Sequence, residues 1–365
     1  MSRGDAGDSV HAMSGFSTIG HESVEGIDVE RVERWFVENV ADIEPPLRFA
    51  LIAGGRSNLT YSVTDAAGRR FALRRPPRSH VLPTAHDMAR EFRVISALGP
   101  TDVPVPTTFG LCQDEAVNGR PFYVMEFVDG LIVRDAELAQ RDLDLGARRR
   151  AGESMADTLA ALHAVDVDAV GLGDFARREN YIERQLRRWD EQFRNSAVEG
   201  EEATGIVTAV HDRLAATVPP QVGSAIVHGD YRLDNTVLGP DGTVRAVLDW
   251  EICTLGDPLA DVGLLMVYWT EAGDEAAIVG VTPTAVPGFP GRDEMIQRYA
   301  RASARDLGHL DYYVAFGYWK LACILQGVFA RYAGGAAAGD RRGVDGFAAS
   351  VVRLAEMAAR TLDPS

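Results

Sequence analysis

The sequence predicts an α+β chain in two parts, a β-rich first part with one helix among its strands and a larger helical second part. Up to about residue 128, short apolar runs alternate with glycine, aspartate and proline turns. After Gly130 the apolar residues recur at helical spacing instead. The helical part is interrupted once, by a compact strand–turn–strand block over 224–250. A length of 365 residues suits about two domains.

The elements follow in order. Residues 1–26 begin Ser/Gly/His-rich and read as a loose tail. Ile27, Val32, Trp35, Phe36 and Val40 make a helical pattern, with Asp28 placed to cap it. Strands over 47–52, 59–63 and 71–73, separated by Gly54-Gly55 and by a turn at 65–68, read as a meander. Met88, Phe92, Ile95 and Leu98 share one face of a helix over 86–98, which the proline-rich stretch 100–106 ends. Residues 108–112 and 122–128 form another strand pair. Helices are predicted over 147–164, 179–194 and 201–216, and over most of the chain from Pro258 onward, with a loop at 334–339. The divisions that result are a tail over 1–26, a first lobe over 27–128 and a second over 129–365.

Composition excludes several classes. The chain is 46% hydrophobic and 25% charged, which rules out a mostly disordered chain, a collagen-like repeat and a coiled coil. A net charge of −16 makes it a poor non-specific binder of nucleic acid or of an anionic membrane. Cys112, Cys253 and Cys323 are odd in number and widely spaced, so they read as buried, reduced thiols rather than as a disulfide framework or a zinc site. The first residues lack the apolar core of a secretory signal. The most apolar stretch, 259–269, is too short to span a bilayer and is broken by Asp261. A cytoplasmic protein is expected. The basic residues are almost all arginine, and Lys320 is the sole lysine.

The chemistry concentrates in HGDYRLDN at 228–235 and VLDWE at 247–251. Residues 236–238 and 244–248 are strand-like around the turn Gly239-Pro240-Asp241-Gly242. In such a hairpin the start of one strand and the end of its partner lie together, so Asn235 and Asp249 become neighbours, with Asp230 on the loop leading in. A carboxylate to take a proton, with an amide oxygen and a second carboxylate to hold Mg²⁺ on phosphates, is the set that phosphoryl transfer requires. The same residues also fit a polar turn whose Asp and Asn cap backbone groups.

HGDYRLDN with LDWE resembles the aminoglycoside phosphotransferase and choline-kinase branch of the protein-kinase-like fold, over nearly the whole chain from about residue 30. The resemblance implies a nucleotide between a β-rich lobe and a helical lobe, with Asp230 as catalytic base and Asn235 and Asp249 as metal ligands. GGRSN at 54–58 resembles the phosphate-covering loop, which assigns Ser57 and Asn58 to nucleotide binding. Arg74 takes the place of the phosphate-binding lysine, Glu91 is its partner, and FYVMEFVDG at 122–130 resembles the hinge that binds adenine around Glu126 and Val128. Asp261 resembles the helix-borne aspartate that supports the catalytic loop, and His228 is read as holding that loop rather than as a base. A narrower resemblance, in LRRPP, PTAHDMAREFRV, YIERQLRRWDEQ and LDWEICTLGDPLAD, is to the kinase-like domains associated with acyl-CoA dehydrogenases. Tyr181, Arg184, Arg188 and Trp189 share one helical face that suits an anionic or acyl-type substrate, or else a salt-bridged surface helix. Glu251 is a further substrate candidate.

The expected activity is Mg²⁺-dependent transfer of the γ-phosphoryl group of ATP, or GTP, to the hydroxyl of a small molecule, with neither nucleic acid nor membrane as partner. The alternative is a catalytically weak or dead relative that binds nucleotide or an acyl ligand as a regulator. GLGDFA at 171–176 follows a helix rather than a strand and is read as a turn, not a dinucleotide fingerprint.

Overall fold

The computed structural model describes residues 24–53, 58–77, 87–196, 202–274, 283–333 and 344–363. Two compact units result: residues 1–93 with 107–127, and residues 94–106 with 128–365.

The first unit opens with α1 (Val29–Asn39), whose N–H of Arg31 is capped by the Asp28 carboxylate. Strands β1 (Arg48–Ala53), β2 (Leu59–Thr64) and β3 (Arg70–Arg75) follow, then α2 (Met88–Leu98), which runs across the boundary at Arg93. β4 (Thr108–Cys112), the short α3 (Glu115–Asn118) and β5 (Phe122–Glu126) complete the unit. The five strands form one antiparallel sheet in the order β1–β2–β3–β5–β4. Helix α1 buries Val32, Trp35 and Phe36 on this sheet. Trp35 meets Phe122 edge-on at 4.9 Å, and Phe36 meets Phe71 at 5.9 Å. Large apolar rings at this spacing carry most of the burial energy of such a small layer.

The second unit is mainly helical: α4 (Ala136–Asp142), α5 (Leu145–Ala164), α6 (Tyr181–Ser196) and α7 (Glu202–Ala216) precede the strand block. That block holds β6 (Ala225–Val227), β7 (Thr236–Leu238), β8 (Val244–Val247) and β9 (Thr254–Gly256). After it come α8 (Leu259–Tyr268), α9 (Arg292–Ser303), α10 (Leu310–Ala333) and α11 (Val344–Leu362). Within α10, residues 310–330 are apolar and long enough to cross a bilayer. Two thirds of that stretch is buried, with α10 packed against α11, α8 and α6 as a core helix.

The sequence reading passed over α3, α4 and β9. Each is short, and three to seven residues are too few to display a helical or strand period clearly. Residues 171–176 form turns, with the Leu172 N–H donating to the Val167 carbonyl and Phe175 to Leu172. Cys112, Cys253 and Cys323 are buried thiols.

Candidate functional site

In the second unit, β6 pairs antiparallel with β9 and delivers the chain into His228-Gly229-Asp230. Gly229 adopts φ +85°, a conformation that a side chain would strain. Two neighbouring carboxylate–amide bonds hold this turn: Asp261, on α8, accepts from the N–H of His228 at 2.6 Å and of Gly229 at 2.8 Å. Asp261 is 1% exposed. Burial by itself would raise its carboxyl, but the bond from His163, the nearby imidazoles and the Gly229 N–H hold it below the usual carboxylate range. Burial pushes His163 down, toward the neutral form, so its Nε2 donates to Asp261 at 3.3 Å while Tyr299 Oη donates to Nδ1 at 2.8 Å.

His228 is buried and spends both ring nitrogens on the backbone. Nε2 donates to the Leu248 carbonyl at 2.9 Å, and Nδ1 accepts from the Asp230 N–H at 3.2 Å. A ring committed in this way ties the Asp230 loop to the far end of the hairpin.

The hairpin itself forms as the turn residues require, with Thr236 opposite Val247 and the Leu248 N–H donating to the Asn235 carbonyl at 2.8 Å. Asp249 follows at once, in the left-handed region at φ +64°. Asn235 Nδ2 donates to both the Asp230 carbonyl, 2.8 Å, and Asp230 Oδ2, 2.9 Å. With its amide hydrogens used there, Asn235 offers Oδ1 as the atom suited to a cation. Asp230 Oδ1 accepts from Tyr268 Oη at 3.0 Å. Arg232 lies 3.3 Å from Asp230 Oδ2 and 2.9 Å from Asp234, and its guanidinium stacks 5.0 Å from the Tyr268 ring. Burial opposes the charge of Arg232, and Asp230, Tyr268, Asp234 and Asp249 more than offset it, so its pKa is raised.

Among the described residues no group of three or more His, Cys, Asp or Glu is placed to hold a metal by itself. One carboxylate and one amide oxygen nevertheless fit Mg²⁺, which keeps several waters and shares its remaining positions with phosphate.

In the first unit, Arg74 Nε donates to Glu91 Oε2 at 2.9 Å, and Tyr123 Oη reaches the same oxygen at 3.0 Å. Asn58 Nδ2 donates to Glu91 Oε1 at 2.7 Å. Glu91 is only 1% exposed, so a buried carboxylate with three donors fixes the arginine. Asn58 thus spends its side-chain amide hydrogen on Glu91. Ser57 lies outside the described residues. Arg75, one residue on, turns to the Gly26 carbonyl instead. Glu126 uses its N–H on the Thr107 carbonyl and its carboxylate on the Thr107 N–H and hydroxyl. Val128 follows β5 at the start of the second unit's main segment.

The α6 residues divide. Tyr181 and Trp189 are buried. The Tyr181 ring lies against Gly256, where an added Cβ would come within 2.1 Å of it. Arg184 donates to the Arg177 carbonyl at 2.8 Å, and Arg188 is exposed with its guanidinium 5.1 Å from the Trp189 ring. Glu251 sits half-buried in the turn after Trp250. The structure thus gathers Asp230, Asn235, His228 and Asp261 through direct bonds, and Arg74 with Glu91, and buries Tyr181 and Trp189 in the core.

Tyr268, Tyr123 and Arg232 were missed. Arg232 stood inside the motif and was legible as a cation beside the base. Tyr268 lies on another helix 38 residues away, and no sequence signal marks it.

Residues 48–304 match the phosphotransferase enzyme family, APH. The chain is 34% identical over 290 residues to acyl-CoA dehydrogenase family member 10 of Mus musculus, which covers 78% of this chain and 27% of that protein. The chain spans about a quarter to two fifths of the length of the curated relatives it matches. A crystal structure from Ralstonia eutropha of aminoglycoside-phosphotransferase type superposes with a TM-score of 0.76 at 32% identity, covering 91% of this chain and 98% of the other. Choline kinase from Cryptosporidium parvum superposes with a TM-score of 0.64 at 11% identity, covering 92% and 95%, a likeness of fold.

Proposed function

The chain belongs to the phosphotransferase enzyme family, APH, and from that membership we infer that it is a small-molecule kinase moving the γ-phosphoryl of ATP to an acceptor hydroxyl with Mg²⁺. The observation that carries this reading is the Asp230 carboxylate, held by Asn235 on one oxygen and by Tyr268 on the other, at the open end of the hairpin that ends in Asp249. Asp230 accepts the hydroxyl proton as the acceptor oxygen bonds to phosphorus and the bond to the departing diphosphate breaks. Asn235 and Asp249 would hold Mg²⁺, which supplies neutralising charge on the phosphates. Arg74, fixed by Glu91, adds a cation for the same phosphates, and Glu126 and Val128 are assigned to the adenine edge. Positioning and charge neutralisation dominate such a reaction, because little covalent chemistry falls to the protein.

The test is Asp230→Asn, which keeps the shape and removes the base. Turnover should fall by roughly 10²–10⁴ while the nucleotide Kd stays close to wild type. Turnover near wild type would sink the assignment. The acceptor is sought by a transfer screen across aminoglycosides, macrolides, sugars, choline-like alcohols and, from the relatives' name, hydroxyacyl-CoAs. Arginine at 74 also favours a second reading, a regulator that binds Mg·ATP without turning it over. Thermal stabilisation by Mg·ATP with no product in any arm of the screen would select it.

A further inference from the structure

Lys320 is the sole lysine in a chain that carries 37 basic residues. A composition this biased toward arginine places lysine nowhere else, yet this one is buried, 4% exposed, in the middle of α10. Its Nζ donates to the Gly229 carbonyl at 2.8 Å and lies 5.7 Å from the Trp189 ring. Burying an ammonium is costly unless it finds partners. Burial pushes Lys320 down and Arg188 adds to that, while the carboxylates of Asp230 and Asp261 pull it back up.

The carbonyl it holds belongs to the peptide that leads into Asp230. That peptide is planar, so fixing its oxygen and its N–H fixes the plane. Lys320 takes the oxygen, and His228 Nδ1 takes the N–H. One residue earlier, the Gly229 N–H is taken by Asp261. The turn is therefore gripped from α8 by a carboxylate and from α10 by an ammonium, each matched to the backbone group it meets. Arginine would fit poorly: its planar fork presents five donors where one carbonyl and one ring face are on offer.

We propose that Lys320 is the positioning residue of the catalytic loop, its ammonium fixing the Gly229–Asp230 peptide so that the Asp230 carboxylate stays aimed at the acceptor hydroxyl. This rests on the role given to Asp230 above. Lys320→Met keeps the length of the side chain and loses the donor. Its kcat for Mg·ATP hydrolysis, with water or an acceptor from the screen, should fall by about tenfold to a hundredfold. The Mg·ATP Kd by calorimetry should stay within about threefold, because a misaimed base weakens the chemical step rather than ground-state binding. Lys320→Arg keeps the charge but not the fit, and should recover little of the loss. A folded Lys320→Met with wild-type kcat overturns the proposal.

A second measurement is independent of turnover and of the fate of the Met variant. A sole lysine gives a single side-chain signal in protein labelled with isotopic lysine. Asp230→Asn should shift that signal, since it removes a charge that Lys320 senses across one peptide. An unmoved signal overturns the proposal. A signal shifted by Asp230→Asn, beside a wild type that binds Mg·ATP but never hydrolyses it, upholds the loop contact and counts against the function given to Asp230.

Discussion

Arg74 and Arg75 are adjacent and have unlike partners, because successive strand residues face opposite sides of the sheet. Arg74 reaches Glu91, and Arg75 reaches the backbone at Gly26. On the proposed role, Arg74→Ala would remove a cation from phosphates that Mg²⁺ only partly neutralises, so kcat/KM for nucleotide should fall by about tenfold or more. Arg74→Lys keeps the charge but not the fork, and should retain substantial activity. Arg75→Ala should leave kcat/KM near wild type. Damage from the Arg75 change with a silent Arg74 change would move the phosphate role one residue along the strand. At this scale the sequence supplied candidates without all their contacts: it paired Glu91 with Arg74, and the fold adds Asn58 and Tyr123 to the same carboxylate.

The hairpin β7–β8 is the element that orders the proposed site, since it sets Asn235 opposite Leu248, the residue before Asp249. Its turn was legible from Gly239-Pro240-Asp241-Gly242, and the reason is local: glycine and aspartate supply backbone angles that other residues resist. Gly242 stands at φ +90°, and an added Cβ would come within 2.0 Å of the Ala147 carbonyl of α5. Gly242→Ala should therefore lower stability by about 1–3 kcal/mol from backbone strain alone, with more from the clash. The urea midpoint checks this, and an unchanged midpoint would mean that the turn rearranges freely. Strand β9 and Tyr268 were not legible. The strand exists because β6 offers it a partner, and the tyrosine matters only because α8 ends beside Asp230.

For the molecule as a whole, nucleotide binding should appear as stability. A ligand that binds only the folded chain stabilises it by about 2.7 kcal/mol at a hundred times its Kd. ATP with Mg²⁺ should raise Tm clearly more than ATP with chelator. In Asp249→Ala that Mg²⁺-dependent increment should vanish, because unshielded phosphates then meet the Asp230 carboxylate. A full increment in the variant would locate the metal ligands elsewhere.

The sequence by itself determined the division into a β-rich and a helical part, the hairpin and the order of the motifs. Those depend on hydrophobic period and turn chemistry, which are properties of neighbours along the chain. Only the tertiary structure decided which donor meets which acceptor: Glu91 with Asn58, Arg74 and Tyr123; Asp230 with Asn235 and Tyr268; the Gly229 carbonyl with Lys320. Each of those partners, Asn235 excepted, lies 17 or more residues from the group it meets. Buried polar groups must be satisfied by whatever packing brings within about 3 Å, and no local pattern records what that will be.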